Sequence, residues 1–261
     1  MITQKQQRGF ILAMKAGEIM MKSGGEVYRV EETITRICHA CGLHYVEVFT
    51  TTTGIIASIG TKGESGDIRT YLKAVPNRGM DMQKISDINM LSRQFVSGKI
   101  DVEDAIDEIT AIETRKSYSI PWQLIGAAIV SAVYCFIFGG LAAECIIACF
   151  SGILTYILSL LLVKINIGYF ITDFFCCAFA SFLALSATAF GLCDTSDHII
   201  IGTLMMFVPG AAFTNALRDI IRGDMISGIA RTAEALSVAI ALVTGAGVMI
   251  KIWHSLGGLI L

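Results

Sequence analysis

Charge is what the second half of this chain lacks. Residues 118–261 hold only 5 of the 20 Lys/Arg and 7 of the 22 Asp/Glu. An ordinary soluble domain is about one quarter charged, whereas this chain as a whole reaches 16%. An excess of either sign is missing as well. The net charge is −2, so there is no basic footprint for a nucleic-acid partner. Residues 1–22 have no continuous apolar core, because Lys5, Arg8, Lys15, Glu18 and Lys22 interrupt them. No secretory signal is expected, and the N-terminal domain is expected to stay in the cytoplasm. A disulfide framework is not expected either. Cys135, Cys145, Cys149, Cys176, Cys177 and Cys193 lie in or beside apolar runs, where a thiol packs as a small hydrophobe. Cys38 and Cys41 fall in the half expected to be cytoplasmic and reduced. With His44 they resemble part of a zinc site, but no second CxxC supplies a further ligand. The run Gly63-Glu64-Ser65-Gly66-Asp67 lacks the final glycine of a nucleophile elbow. Neither a metal, nor a cofactor, nor an enzyme is expected.

What remains is two blocks joined near Ser117: a soluble domain, 1–117, and a membrane domain, 118–261. A helix needs about 20 apolar residues to cross ~30 Å of hydrocarbon. Segments 121–140, 145–163, 174–193, 199–217 and 235–250 carry no charge, and backbone amides in lipid must pair within a helix. The last is short and is expected to begin near Thr232. Arg115 and Lys116, then Lys164, then Arg218, Arg222 and Arg231 mark alternate connections. The positive-inside rule puts the N-terminus inside and the C-terminus outside. Five spans suggest one half of an inverted-repeat transporter, completed by a second copy or another protein.

The soluble block reads α-α-β-β-β-α-α, an α+β domain. Residues 4–22 form an amphipathic helix with Phe10, Met14, Gly17 and Met21 on one face, opened by a Thr3/Gln6 capping box. Ser23 and Glu26 have the same spacing. The next helix turns Val27, Val30, Ile34, Ile37 and Cys41 inward and stops at Gly42. Strands follow at 45–50, 54–59 and 67–74. Two helices start near Asp81 and Asp101, with Ile85, Ile88, Leu91, Phe95 and Val102, Ala105, Ile109, Ile112 inward.

Candidate site residues cluster late in the chain. Pro209-Gly210 falls in mid-span, where a lost amide and a free φ kink or unwind a helix. Asn215, Arg218 and Asp219 follow on one face. Arg218 suits a carboxylate in bidentate fashion, and Asn215 and Asp219 suit an ammonium group or a proton. Arg222 and Arg231 are read as orienting charges. Asp173 and Glu234, at the edges of the third and fifth spans, are candidates for an ion path. Ala178, Ser181, Ala184, Ala187 and Thr188 make a small-residue packing face.

Ser23-Gly24-Gly25-Glu26-Val27-Tyr28-Arg29-Val30-Glu31-Glu32, Gly42-Leu43, Val46-Glu47-Val48-Phe49 and Thr53-Gly54-Ile55 resemble the threonine/serine exporter (ThrE) family. So do Phe138-Gly139-Gly140, Phe150-Ser151-Gly152, the run from Pro209 through Thr214-Asn215-Ala216-Leu217-Arg218-Asp219, and Gly223-Asp224, Ser227-Gly228 and Arg231. The match covers the N-terminal half of that family and looks most like its split, YjjP-like form. Thr52 stands where the family often has proline. The resemblance implies proton-driven export of threonine and serine, or of dicarboxylates such as succinate in the split form. It also implies a bacterial inner-membrane location and a small YjjB-like partner subunit; a homo-oligomer is a further possibility. The implied site residues are Pro209, Gly210, Thr214, Asn215, Arg218 and Asp219, with Gly24, Gly25, Arg29, Glu32, Thr53 and Gly54 in the soluble domain. Rival readings are an enzyme or sensor anchored by its membrane half, and a self-assembling channel.

Overall fold

The computed structural model describes residues 3–60, 68–76, 79–115, 118–165 and 167–257. The expectations placed on Asp67, on the turn 63–67, on Lys116 and on Ser117 lie outside these residues. The chain forms two compact units. One is Met1–Arg115 with Ala211–Thr232; the other is Lys116–Gly210 with Ala233–Leu261.

The first unit opens with α1 (Gln4–Lys22) and α2 (Val27–Ala40), followed by β1 (Tyr45–Thr51), β2 (Gly54–Gly60) and β3 (Arg69–Ala74). It continues with α3 (Met82–Val96) and α4 (Val102–Thr114). The strands form one antiparallel sheet in the order β1-β2-β3. Thr3 and Gln6 make the expected capping box at α1. Gly42 closes α2 with φ +76°. The apolar face expected of each helix is the face that packs: Phe10, Leu12, Met20, Ile34, Ile37, Ile55, Ile88, Leu91 and Ile109 share one core. Asp81 and Asp101 are the N-caps of α3 and α4. Ser23 and Glu26 do not form a capping box; Glu26 is itself the N-cap of α2 and makes no side-chain cap bond. Its carboxylate is engaged elsewhere, as described below.

The apolar half contains α5 (Ile120–Ile137), α6 (Ala142–Lys164), α7 (Tyr169–Ala189), α8 (Asp197–Leu204), α9 (Gly210–Ile221) and α10 (Met225–Gly257). Among the described residues, four helices are long and apolar enough to cross a membrane: α5, α6, α7 and α10. The expected fourth span, 199–217, is not one helix. Proline has no amide to donate, and its ring clashes with the carbonyl four residues back. That carbonyl belongs to Met205, and α8 ends one residue before it. The chain turns through 205–209, Gly210 N donates to Val208 O at 2.8 Å, and α9 begins. The last helix starts about two turns before the expected Thr232, at Met225.

Within the second unit, small residues are inside and large apolar ones outside, as suits a bundle packed in lipid. Ala127, Ser131, Ala148, Ser151, Thr155, Ala180, Ser181 and Ala184 are buried, whereas Ile129, Phe136, Phe150, Leu161 and Phe175 are exposed. A Cβ on Gly202 would come within 2.6 Å of the Ser131 carbonyl, so α8 and α5 meet backbone to backbone.

Candidate functional site

The site is best built from the turn that joins α1 to α2. Gly24 sits at φ +83°, a left-handed conformation that only glycine adopts without strain. A Cβ on Gly25 would lie 2.9 Å from the Met20 carbonyl. Two glycines therefore allow a tight reversal, but they expose a row of carbonyls, and buried carbonyls need donors. Every one from 22 to 26 has a donor. Gly79 N donates to Lys22 O at 2.8 Å, and Asp81 N to Ser23 O at 3.1 Å. Asn215 Nδ2 donates to Gly24 O at 3.2 Å, and Arg231 Nη2 to Gly25 O at 2.7 Å. Arg29 N and Val30 N take Glu26 O at 3.1 and 3.2 Å. Two of these donors are side chains roughly 200 residues downstream.

The charges interlock in the same place. The Glu26 carboxylate, 4% exposed, meets Arg29 Nη1 at 3.2 Å and also pairs with Arg218. Asp219, 0% exposed, lies 3.2 Å from Nε of Arg231, which is itself 6% exposed. Arg222 stacks over Tyr28, 3.8 Å from the ring centroid, a cation–π contact. Glu31 accepts both the amide and the hydroxyl of Thr50, each at 2.8 Å. Burial pushes the Glu31 carboxyl above the usual range; the Thr50 bonds oppose this, and the charges of Asp224 and Asp219 reinforce it. Burial likewise raises the Asp219 carboxyl, against the pull of Arg231 and the Val27 amide and with the push of Asp224.

The helix α9 carries this cluster on an inverted amphipathic frame. Its buried residues are Asn215, Ala216 and Asp219. Phe213, Leu217 and Ile221 are exposed, as are Met225, Ile226 and Ile229 just beyond. Gly228 lets α10 close against α9, since a Cβ there would lie 3.1 Å from the Ala216 carbonyl. A helix with polar side chains inside and apolar ones outside is built for lipid or an apolar partner.

The structure thus brings together Gly24, Gly25, Arg29, Asn215, Arg218 and Asp219. Arg231, read from sequence only as an orienting charge, sits among them. Pro209 lies in the break and Gly210 starts α9; Thr214 is on α9 and exposed. Glu32 pairs with Arg36 and lines a groove of about 890 Å³ with Glu31, His39 and Glu47. Thr53 lies in the β1–β2 turn and Gly54 opens β2; Thr53 O accepts from Val75 N at 2.8 Å. Asp173 and Glu234 belong to the other unit. Asp173 is half-buried in the second turn of α7, and Glu234 is exposed on α10. Cys38 is buried and its thiol pushed up to about 12 by that burial. The His39 ring bonds to the Leu43 carbonyl at 2.9 Å. Among the described residues no three His, Cys, Asp or Glu side chains converge to hold a metal ion.

Residues 11–253 match the family described as "Putative threonine/serine exporter" (ThrE). The chain belongs to the threonine/serine exporter family. It is 24% identical over 237 residues to a "Probable threonine/serine exporter" of Mycobacterium tuberculosis, covering 90% of this chain and 44% of that protein. The "Threonine/serine exporter" of Corynebacterium glutamicum is 24% identical over 92% of this chain and 50% of its own length. The chain thus spans about half the length of these exporter-family relatives. Against the "Probable succinate transporter subunit YjjP" of Escherichia coli it is 23% identical, covering 97% of this chain and 98% of the other. No solved structure matches. With this family membership and its apolar helices, the protein is a membrane protein whose named relatives are exporters or transporter subunits.

Proposed function

We propose that this chain is one subunit of a secondary exporter for small carboxylate-bearing solutes, threonine and serine first, driven by the proton motive force. A second membrane half, a small YjjB-like chain, completes the pathway. The observation that carries this reading is the Glu26 carboxylate held between Arg29 and Arg218 at the foot of the broken span. A solute carboxylate can replace Glu26 on the same two guanidinium groups, which suit that geometry. Broken helices at the solute site are a recurrent feature of secondary transporters. Asp219 is the proton-accepting group of the cycle, and Asn215 holds the turn in register while the charges exchange.

In this reading the crossings are α5, α6, α7, the α8 segment and α10, with the N-terminus inside. The eight residues of α8 rise about 12 Å. That is less than half of the ~30 Å of hydrocarbon, and the chain turns through 205–209, so this proposed crossing is a short helix followed by a turn.

Glu31, Asp219 and Asp224 surround the exchange point. An α-ammonium group meets them favourably, whereas the second carboxylate of a dicarboxylate is repelled. Threonine should therefore outcompete succinate. The near-full-length match to a succinate transporter subunit keeps the dicarboxylate as the second reading. The test is accumulation of labelled threonine and succinate in inside-out vesicles, with and without the second half. Asp219→Asn should abolish accumulation at unchanged membrane abundance; transport surviving that change removes Asp219 from the mechanism.

A further inference from the structure

At one end of the second unit a carboxylate is buried for which the exporter reading has no use. Glu144, in the first turn of α6, is 3% exposed. Its Oε1 accepts from Thr195 Oγ1 at 2.8 Å, and its Oε2 accepts from Leu141 N at 3.0 Å. His198 Nδ1 lies 2.9 Å from the same Oε2 and 3.3 Å from Thr195 Oγ1. The imidazole is the only cationic partner of this carboxylate among the described residues. Cys135 on α5 also neighbours this carboxylate, and the thiols of Cys145 on α6 and Cys193 before α8 neighbour Cys135 in turn. Asp194 and Asp197 are exposed neighbours on the same connection. His198 is partly exposed, so the pair has one buried and one wet member.

Below it runs a stripe of hydroxyls. The buried face of α6 reads Glu144, Ala148, Ser151, Gly152, Thr155 and Ser159, so the polar members follow the helical repeat down one side. A hydroxyl in a membrane helix ordinarily bonds back to a carbonyl of its own turn. Ser159, Ser181 and Thr188 do so, to Tyr156, Cys177 and Ala184. Four others do not. Ser131 on α5, Ser151 and Thr155 on α6, and Thr203 on α8 have buried side-chain oxygens without a hydrogen-bond partner among the described residues. Each is at most 2% exposed. Buried hydroxyls of this kind call for water. Close approaches join the helices here, since a Cβ on Gly152 would lie 2.8 Å from that of Ser131.

We propose that Glu144 and His198 form a proton-binding site, and that the hydroxyls of Ser131, Ser151, Thr155 and Thr203 conduct its proton into the bundle through water. The contact of Glu144 with Thr195 and His198 puts the connections 138–141 and 190–196 at one end of the unit. Neither holds Lys or Arg, which assigns that end to the outer face. His198, the partly exposed member of the pair, takes up a proton there. It passes the proton to Glu144, which hands it on. What binds is a proton rather than a metal ion, since among the described residues no three His, Cys, Asp or Glu side chains converge to hold a metal. This inference rests on the proton-coupled reading above.

The test uses the full chain with its second half in vesicles loaded with a pH-sensitive dye. Wild-type export, with its proton movement, should depend on outer pH. Glu144→Gln and His198→Gln should each lower coupled proton movement about tenfold or more and flatten that pH profile. Glu144→Asp should restore part of the profile. Thr155→Val, nearly isosteric, should slow proton movement while leaving abundance and thermal stability unchanged. Wild-type profiles in Glu144→Gln and His198→Gln, or unaltered proton movement in Thr155→Val, would overturn the site. Export by the wild type that moves no protons overturns the proton-coupled reading, and with it this site. A loss of export with an unchanged pH profile marks Glu144 and His198 as structural and also overturns the proposal.

Discussion

Without the guanidinium of Arg231, the fully buried Asp219 carboxylate would lose the cation that lies 3.2 Å away. Breaking one side of a buried pair costs about 3–5 kcal/mol, whereas replacing both members with apolar groups is often neutral. Arg231→Met should therefore lower the melting temperature of detergent-solubilised protein sharply. Arg231→Met with Asp219→Leu should recover much of the loss in the same melt while remaining inactive in export. Glu31 gives the pH sign. Its folded carboxyl is raised above its unfolded value by burial, so the folded state binds the proton more readily than the unfolded chain. The charged form's penalty is fully present above the folded pKa and is relieved as pH falls through it toward the unfolded value. Glu31→Gln keeps acceptors for Thr50 and should be more stable than wild type at neutral pH, with the advantage closing on acidification in paired melts. Arg231 and Glu144 could not be picked out by reading along the chain. Each owes its setting to a contact more than fifty residues away in sequence, and spacing within a helix carries no trace of that.

Helix α9 explains why one expected element came out differently. Only residues 210–217 of its twelve were expected to belong to the apolar span 199–217; Phe213, Leu217 and, just beyond, Ile221 are the large apolar residues of its outer face. The structure turns those three outward and Asn215 and Asp219 inward. Proline supplies the break, and Pro209→Ala should let α8 run on toward α9. The expected result is loss of export at normal abundance, read in the vesicle assay. The α1–α2 turn was legible as a break, but not its hydrogen-bond demand. Gly24→Ala forces an alanine to φ +83°, at about 1–2 kcal/mol, and should move the Gly24 carbonyl away from Asn215. By contrast, the starts and the apolar faces of α3 and α4 were readable. Their buried positions follow the 3.6-residue repeat, and Asp81 and Asp101 mark their starts.

At the scale of the molecule, the first unit is assembled from two separate stretches of sequence. A fragment of residues 1–115 lacks the donors for the Gly24 and Gly25 carbonyls that Asn215 and Arg231 provide. It should be less stable than the same unit in the whole chain, and a peptide of residues 210–232 should bind it, as measured by calorimetry. Arg231→Ala in the peptide should abolish that binding. The apolar helices and the small sheet were legible because burial in lipid and burial in a soluble core leave different periodicities, although among the described residues four helices, not the expected five, are long and apolar enough to cross a membrane. The pairing of the two stretches was not, because it is made by side chains reaching across some two hundred residues. The cysteines hold one further consequence. None of the eight is exposed, and Cys38 in the soluble core is pushed far from its reactive thiolate. The natural chain should be almost silent toward a membrane-impermeant maleimide. A single new thiol, at Asp194 for one face or Lys99 for the other, then reports its own side of the bilayer without the native eight first being removed.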